Sequence, residues 1–298
     1  MTRGEGRRPP TAVFFQTHLL HPEVVSRFER LRAEIPSSFD LYFLLDTAGL
    51  SDDELRLARR LAGDALVTFT FEKVAAGCGE YPHPWAEDGP RGLVPGNNDL
   101  LWLHVRRHVG AYDRYWFVEH DVAFTGDWSD FFGALRDREA DLLGTTIHPR
   151  STLPEFHWWS SFSAGEETRS MSLLRGFFPI VRISSDVLDA LDGVYRAGWS
   201  GHFEVVVPTA LSQLGLEMED VGGRGPLVAE EAGYYFYTNT PTRTTLSPGT
   251  FVYKPSRRYP GLRRNMLWHP VKHTGGRFSP YLESGLEWVR KVRESIRP

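Results

Sequence analysis

The residues best able to do chemistry in this chain are two carboxylates, Glu119 and Asp121, with His120 between them. They follow directly on the apolar run Tyr115-Trp116-Phe117-Val118, which predicts a buried strand. In an extended chain the side chains at i and i+2 project on one side, roughly 6.5–7 Å apart, and the residue between them points away. Such a pair at the exit of a buried strand is costly unless a cation meets it. A hard divalent ion, Mn²⁺ or Mg²⁺, suits oxygen ligands of this kind and accepts diphosphate oxygens beside them. The same residues also allow a plainer arrangement, in which Glu119 caps a turn and Asp121 pairs with an arginine.

The surrounding elements must position these groups. Ala12 to Thr17 reads as a short buried strand, Val24 to Ile35 has helical apolar spacing, and Leu41 to Leu45 reads as a second strand ending in Asp46. Ser51 or Asp52 can cap a helix running through Leu61, and Ala65 to Phe71 is a third strand candidate. Strand and helix in alternation predict an α/β fold with a mostly parallel, Rossmann-like central sheet flanked by helices. Ligands of such sheets sit at the carboxyl ends of the strands. That rule singles out Gln16, Thr17, Asp46, Glu72, Lys73, Glu119 and Asp121.

Further along, residues 77–96 are rich in Gly and Pro, and a helix is expected from Asn98 to Val109. Residues 145–175 read as irregular, Phe177 to Ile183 as a strand, Ser185 to Ala197 as a helix, and another helix starts near Glu204. Ser279 and Pro280 open an amphipathic helix over 279–297. There is no internal repeat and no linker that divides the chain. The expectation is one domain over 12–298 behind a polar, disordered leader of residues 1–11.

Composition narrows the chemistry. The 298 residues hold 34 Lys and Arg against 38 Asp and Glu, a balance that argues against nucleic acid as a partner. The single cysteine, Cys78, excludes an intramolecular disulfide and any Cys-cluster metal site. No run reaches the roughly 18 apolar residues of a membrane span, and no secretory h-region follows the N-terminus, so the expected location is cytoplasmic.

At the acidic unit a resemblance enters. Glu119-His120-Asp121 resembles the "DXD" signature of metal-dependent glycosyltransferases of the GT-A fold. The longer stretch Tyr115 to Trp128 is similar to a little-characterised set of glycosyltransferase-like proteins with an E-x-D-V-x-F-T-G-x-W run. The resemblance spans about residues 12–275 and implies a nucleotide-binding half (about 12–125) followed by an acceptor half (about 126–275). It implies Mn²⁺ or Mg²⁺ held by Asp121 and His269 with help from Glu119, with His273 as the other candidate histidine. It also implies a nucleotide-sugar donor, a UDP-sugar ahead of a GDP-sugar, bordered by Gln16, Thr17, Asp46 and Glu119. Asp99, in Asn97-Asn98-Asp99, would either touch the nucleotide or cap the helix behind it. Lys272 would neutralise departing diphosphate charge. Glu204, at a helix start, would take the acceptor proton in an inverting displacement; its plain alternative is an N-terminal Glu that complements the helix dipole.

A small-molecule or glycan acceptor would meet Trp158, Trp159 and His202, since sugar C–H faces stack on rings; core packing is the alternative for one of the tryptophans. Lys254 to Arg264 is a basic stretch that reads as a lid or as a solvated loop. A P-loop, a dinucleotide-binding glycine fingerprint and a G-x-S-x-G elbow are all missing. A sugar nucleotidyltransferase and a non-catalytic carbohydrate-binding protein are the competing functions. The first would show a Gly-rich basic turn where this chain has Gln16-Thr17-His18; the second would leave the acidic unit idle.

Overall fold

Alternate residues of the first strand enter two different cores. In β1 (Thr11–Thr17), Ala12 and Phe14 join one apolar cluster and Val13 and Phe15 join the other. In the computed structural model, which describes residues 10–81, 97–228 and 236–272, these clusters lie on opposite faces of one sheet. A parallel sheet needs this double cover, because its strands are buried on both sides.

The sheet has seven strands in the order β3-β2-β1-β4-β7-β6-β8. Here β2 is Phe39–Asp46, β3 Leu66–Phe69, β4 Arg114–Glu119, β6 Leu142–Pro149, β7 Leu174–Ser184 and β8 Met218–Asp220. The β1–β2, β1–β4, β2–β3 and β6–β8 pairs are parallel, whereas β7 runs antiparallel to both β4 and β6. The expected α/β class and mostly parallel sheet are therefore present. On one face pack α4 (Asn98–His108), α6 (Ser185–Arg196) and α7 (Phe203–Leu214); on the other pack α1 (Pro22–Glu34), α2 (Asp52–Ala62) and α5 (Trp128–Leu135). A separate two-stranded sheet pairs β5 (Ala123–Phe124) with β9 (Leu267–Trp268), antiparallel.

Several expectations needed correction. Residues 145–175 are not wholly irregular, because β6 runs to Pro149; Gly144, two threonines and a register shift break the alternation that would mark it. The strand expected over 65–71 stops at Phe69, and Thr70 caps the helix α3 (Phe71–Gly77). Glu72 and Lys73 therefore sit exposed in the first turn of that helix rather than directly after a strand. Neither α5 nor β8 was anticipated. Ser51, not Asp52, caps α2, in a reciprocal capping box with Glu54. The leader up to residue 9, residues 82–96, His273 and the 279–297 helix lie outside the described residues.

Candidate metal centre and the cleft beside it

Parallel pairing brings the strand exits to one edge. Gln16 of β1 registers opposite Glu119 of β4, and Asp46 of β2 opposite Phe69 of β3. These exits border a cleft, partly open to solvent, which Gln16, Thr17, Asp46, Asn98, Glu119, Asp121 and Lys272 line.

The triplet Glu119, Asp121 and His269 offers ligand atoms that all lie within 4.8 Å of one another. His269 Nε2 is 3.4 Å from Asp121 Oδ1 and 3.8 Å from Glu119 Oε2. Each residue has its other polar atom already engaged. His269 Nδ1 bonds the Val252 carbonyl at 2.8 Å, Lys272 Nζ meets Asp121 Oδ2 at 2.7 Å, and Asn98 Nδ2 donates to Glu119 Oε1 at 3.0 Å. Gln16 in turn donates to Asn98 Oδ1 at 3.2 Å. What remains of Asp121, its Oδ1 atom, is buried with no hydrogen-bond partner.

This arrangement fits a hard divalent ion. Adjacent ligands of an octahedral Mg²⁺ at about 2.1 Å lie about 3 Å apart, so the two separations from His269 need to contract by less than about 1 Å. A ligating histidine normally fixes its second nitrogen on a carbonyl or carboxylate, as His269 does on Val252. Asp121 meets a lysine, not the arginine of the plainer arrangement. The nearby Arg27 instead donates through Nη1 to the carbonyls of His120 (2.9 Å) and Val271 (2.8 Å).

Electrostatics separate the two carboxylates. Burial, then the neighbouring Asp121 charge, push Glu119 upward. Burial would raise Asp121 too, but His269, His120 and Lys272 outweigh it and hold the group well below the usual carboxylate range. For His269 burial is outweighed by Asp121 and Glu119, which raise it. His120, pushed down to about 4 by burial, does not join the triplet.

Of the residues expected at the donor, Gln16, Thr17, Asp46, Glu119 and Lys272 all line the cleft. Asp99 does not. It is buried in the first turn of α4, where its carboxylate accepts from the Leu100 N–H and the Tyr195 hydroxyl, and burial raises it to about 8. It gives no side-chain cap to the helix either. Asn98, one residue earlier and therefore about 100° around the helix, occupies the place assigned to Asp99.

Glu204 opens α7, capped by His202, whose Nδ1 accepts from the Glu204 N–H at 3.3 Å. Burial, assisted by the Glu119 charge, raises Glu204 to about 8, and Arg175 pulls against that rise. Arg175 was missed from sequence because the strand was expected to begin at Phe177. It lies in β7, buried, over the Phe156 ring at 4.8 Å. An arginine beside an apolar run such as this was the available signal, since buried cations need partners.

The two tryptophans separate. Trp159 is 5% exposed and its indole N–H donates to the Leu153 carbonyl at 2.8 Å, so it belongs to the core rather than to an acceptor surface. Trp158 is 37% exposed and stacks on His202 at 4.3 Å and 13°. None of Lys254 to Arg264 lines the cleft.

No family profile and no curated protein matches this chain. Among solved structures it is similar to core-mannan synthase A from Aspergillus fumigatus in an Mn/GDP form, at 12% identity over 79% of this chain and 82% of that one, TM-score 0.38. It is similar to a mannosyltransferase from Pyrobaculum calidifontis in complex with GDP-Man and Mn²⁺, at 12% identity, TM-score 0.41, over 76% of this chain and 59% of that one. A third is glucosyl-3-phosphoglycerate synthase from Mycobacterium tuberculosis in complex with Mg²⁺ and UDP, at 15% identity over 71% and 68%, TM-score 0.38.

Proposed function

We propose that this protein is a metal-dependent glycosyltransferase of the GT-A type, moving a sugar from a nucleotide-diphosphate donor to an acceptor hydroxyl. The observation that carries the reading is the orphaned, buried Asp121 Oδ1 facing His269 beside Glu119, at the lip of a cleft along the strand exits.

Asp121, His269 and Glu119 would hold Mn²⁺ or Mg²⁺, which supplies Lewis-acid neutralisation of the diphosphate charge. Gln16, Thr17, Asp46 and Asn98 would border the nucleotide, a UDP-sugar ahead of a GDP-sugar. Lys272, half-exposed beside Asp121, would add a positive charge where the leaving diphosphate gathers a negative one. Glu204 is the general base. It takes the proton of the acceptor hydroxyl as that oxygen attacks the anomeric carbon and the bond to the diphosphate breaks, inverting the centre. Trp158, stacked on the His202 ring, offers an exposed face for a small-molecule or glycan acceptor.

The test is thermal unfolding with UDP or GDP, with and without Mn²⁺. A ligand at about 100 times its Kd stabilises the folded state by about 2.7 kcal/mol. The midpoint should rise only when nucleotide and metal are present together, and Asp121→Ala should abolish the rise. A protein whose midpoint no nucleotide moves in a metal-dependent way is not a transferase of this kind.

A further inference from the structure

Residues 236–272 contain seven Lys and Arg and no Asp or Glu, in a chain whose formal net charge is −4. Within that stretch, residues 253–262 carry Tyr253 (49% exposed), Tyr259 (63%) and Leu262 (101%). Three of the six large exposed apolar side chains among the described residues therefore fall in ten consecutive positions. Single exposed leucines are ordinary, but apolar tips clustered among cations on one loop are not.

The loop is held rather than loose. Arg257 N–H donates to the Pro270 carbonyl at 2.9 Å, and Lys272 N–H donates to the Arg257 carbonyl at 2.8 Å, closing its base. At the other end the Thr125 hydroxyl binds the carbonyls of Arg263 and Met266. Gly261 packs so closely against the Trp268 indole that an added Cβ would run into the ring. With both flanks fixed, Leu262 stands out into solvent. Lys254 sits 5.2 Å over the Tyr253 ring and Arg258 sits 5.1 Å over the Tyr259 ring, so each tyrosine carries a cation.

We propose that the 253–264 loop is a docking surface for an anionic lipid bilayer, which receives Leu262, Tyr259 and Tyr253 at its interface while Arg258, Arg263 and Arg264 meet the headgroups. Tyrosine sits well at the headgroup level, and each Lys or Arg near an anionic leaflet contributes about 1 kcal/mol, about fivefold in affinity. A soluble polyanion would satisfy the arginines but leaves a fully exposed leucine without a role. The base of the loop leads into the β9 segment bearing His269 and Lys272. A docked protein would thus present its cleft close to the bilayer surface.

Sedimentation with vesicles tests this on the full chain, without reading turnover, and so independently of the transfer reaction. The protein should pellet with phosphatidylglycerol vesicles, not with phosphatidylcholine vesicles, and salt should release it. Replacing Arg258, Arg263 and Arg264 together by Ser should weaken the binding about a hundredfold. Leu262→Ser should weaken it severalfold at an unchanged unfolding midpoint. No pelleting with phosphatidylglycerol, or a triple variant that pellets as before, overturns the proposal. So does equal binding of phosphatidylglycerol vesicles by the parent and Leu262→Ser proteins, which would mark a surface that reads negative charge alone. A triple variant that keeps vesicle binding but loses the Mn²⁺-dependent nucleotide response would make the loop a donor lid instead.

Discussion

His269 Nε2 lies 3.4 Å from Asp121 Oδ1, and main-chain bonds set that separation from both sides. The His269 N–H donates to the Thr250 carbonyl at 3.0 Å, and the Val271 N–H donates to the Asp121 carbonyl at 2.8 Å. The gap exceeds the 2.7–2.9 Å of a strong charge-assisted hydrogen bond. Two lone pairs cannot face each other here unopposed, so the space holds either a proton on His269 or a cation.

Proton and metal therefore compete. Asp121 and Glu119 outweigh burial and raise His269. A group whose folded value lies above its unfolded one contributes stability below about pH 6.5, lost as the pH rises through the folded value. The metal-free protein should thus lose that contribution on going alkaline, while Mn²⁺ affinity grows by up to about tenfold per pH unit as long as His269 keeps its proton. Calorimetric titration between about pH 6 and 8 checks this; a flat affinity across that range would contradict it.

Arg27 makes a second prediction. Its guanidinium ties the carbonyls of His120 and Val271, the two segments that bring Asp121 and His269 together. Arg27→Ala should weaken Mn²⁺ binding about 10- to 100-fold, the range seen for groups that orient metal ligands. Unaltered Mn²⁺ affinity in a folded Arg27→Ala protein would show that the segments hold themselves.

Glu204 should set the acid limb of the rate profile. With the group raised to about 8 by burial, turnover should climb with pH toward that value, because the base must be ionised. Arg175 lowers Glu204, so Arg175→Gln should displace the limb to higher pH. Glu204→Gln should reduce turnover about 10²–10⁴-fold and leave the nucleotide-and-metal response of the midpoint intact. The stability sign follows: a carboxyl raised on folding binds more protons folded than unfolded, so stability falls as pH rises from 4.5 towards about 8. Glu204→Gln should make that slope shallower. A rate profile with no acid limb would remove the base from this residue.

The tryptophan pair should divide cleanly. Trp159→Ala empties a core site and should cost about 3–5 kcal/mol of stability. Trp158→Ala removes an exposed ring and should leave the unfolding midpoint nearly unchanged while raising KM for the acceptor. Equal destabilisation by both would mean that Trp158 is a packing residue as well.

The acidic unit could be read from sequence because an apolar strand running into charge is rare and directional. The strand exits followed from alternation of strands and helices, which depends on local pattern alone. Asp99 could not be separated from Asn98 in the same way, since both open the same helix and only the fit of Tyr195 against α4 decides which is buried. Trp158 and Trp159 are adjacent and alike; the tight turn that carries them, His157–Ser161, decides which one is covered. Arg27 and Arg175 act across 93 and 244 residues in one case and through space to another element in the other, distances that no local pattern reports.

The metal ligands of the candidate site come from β4 and from the segment after β9, so most of the described chain lies between the first and the last. An ion there would act as a clasp on a very long loop. Closing a long loop costs only slowly more as the loop grows, so distance along the chain is no obstacle to forming it. Order of synthesis is another matter. A growing chain presents Glu119 and Asp121 long before His269 exists, and the clasp can close only once the later segment has been made and has docked on β5. Metal capture would then report that the β9 segment is in place.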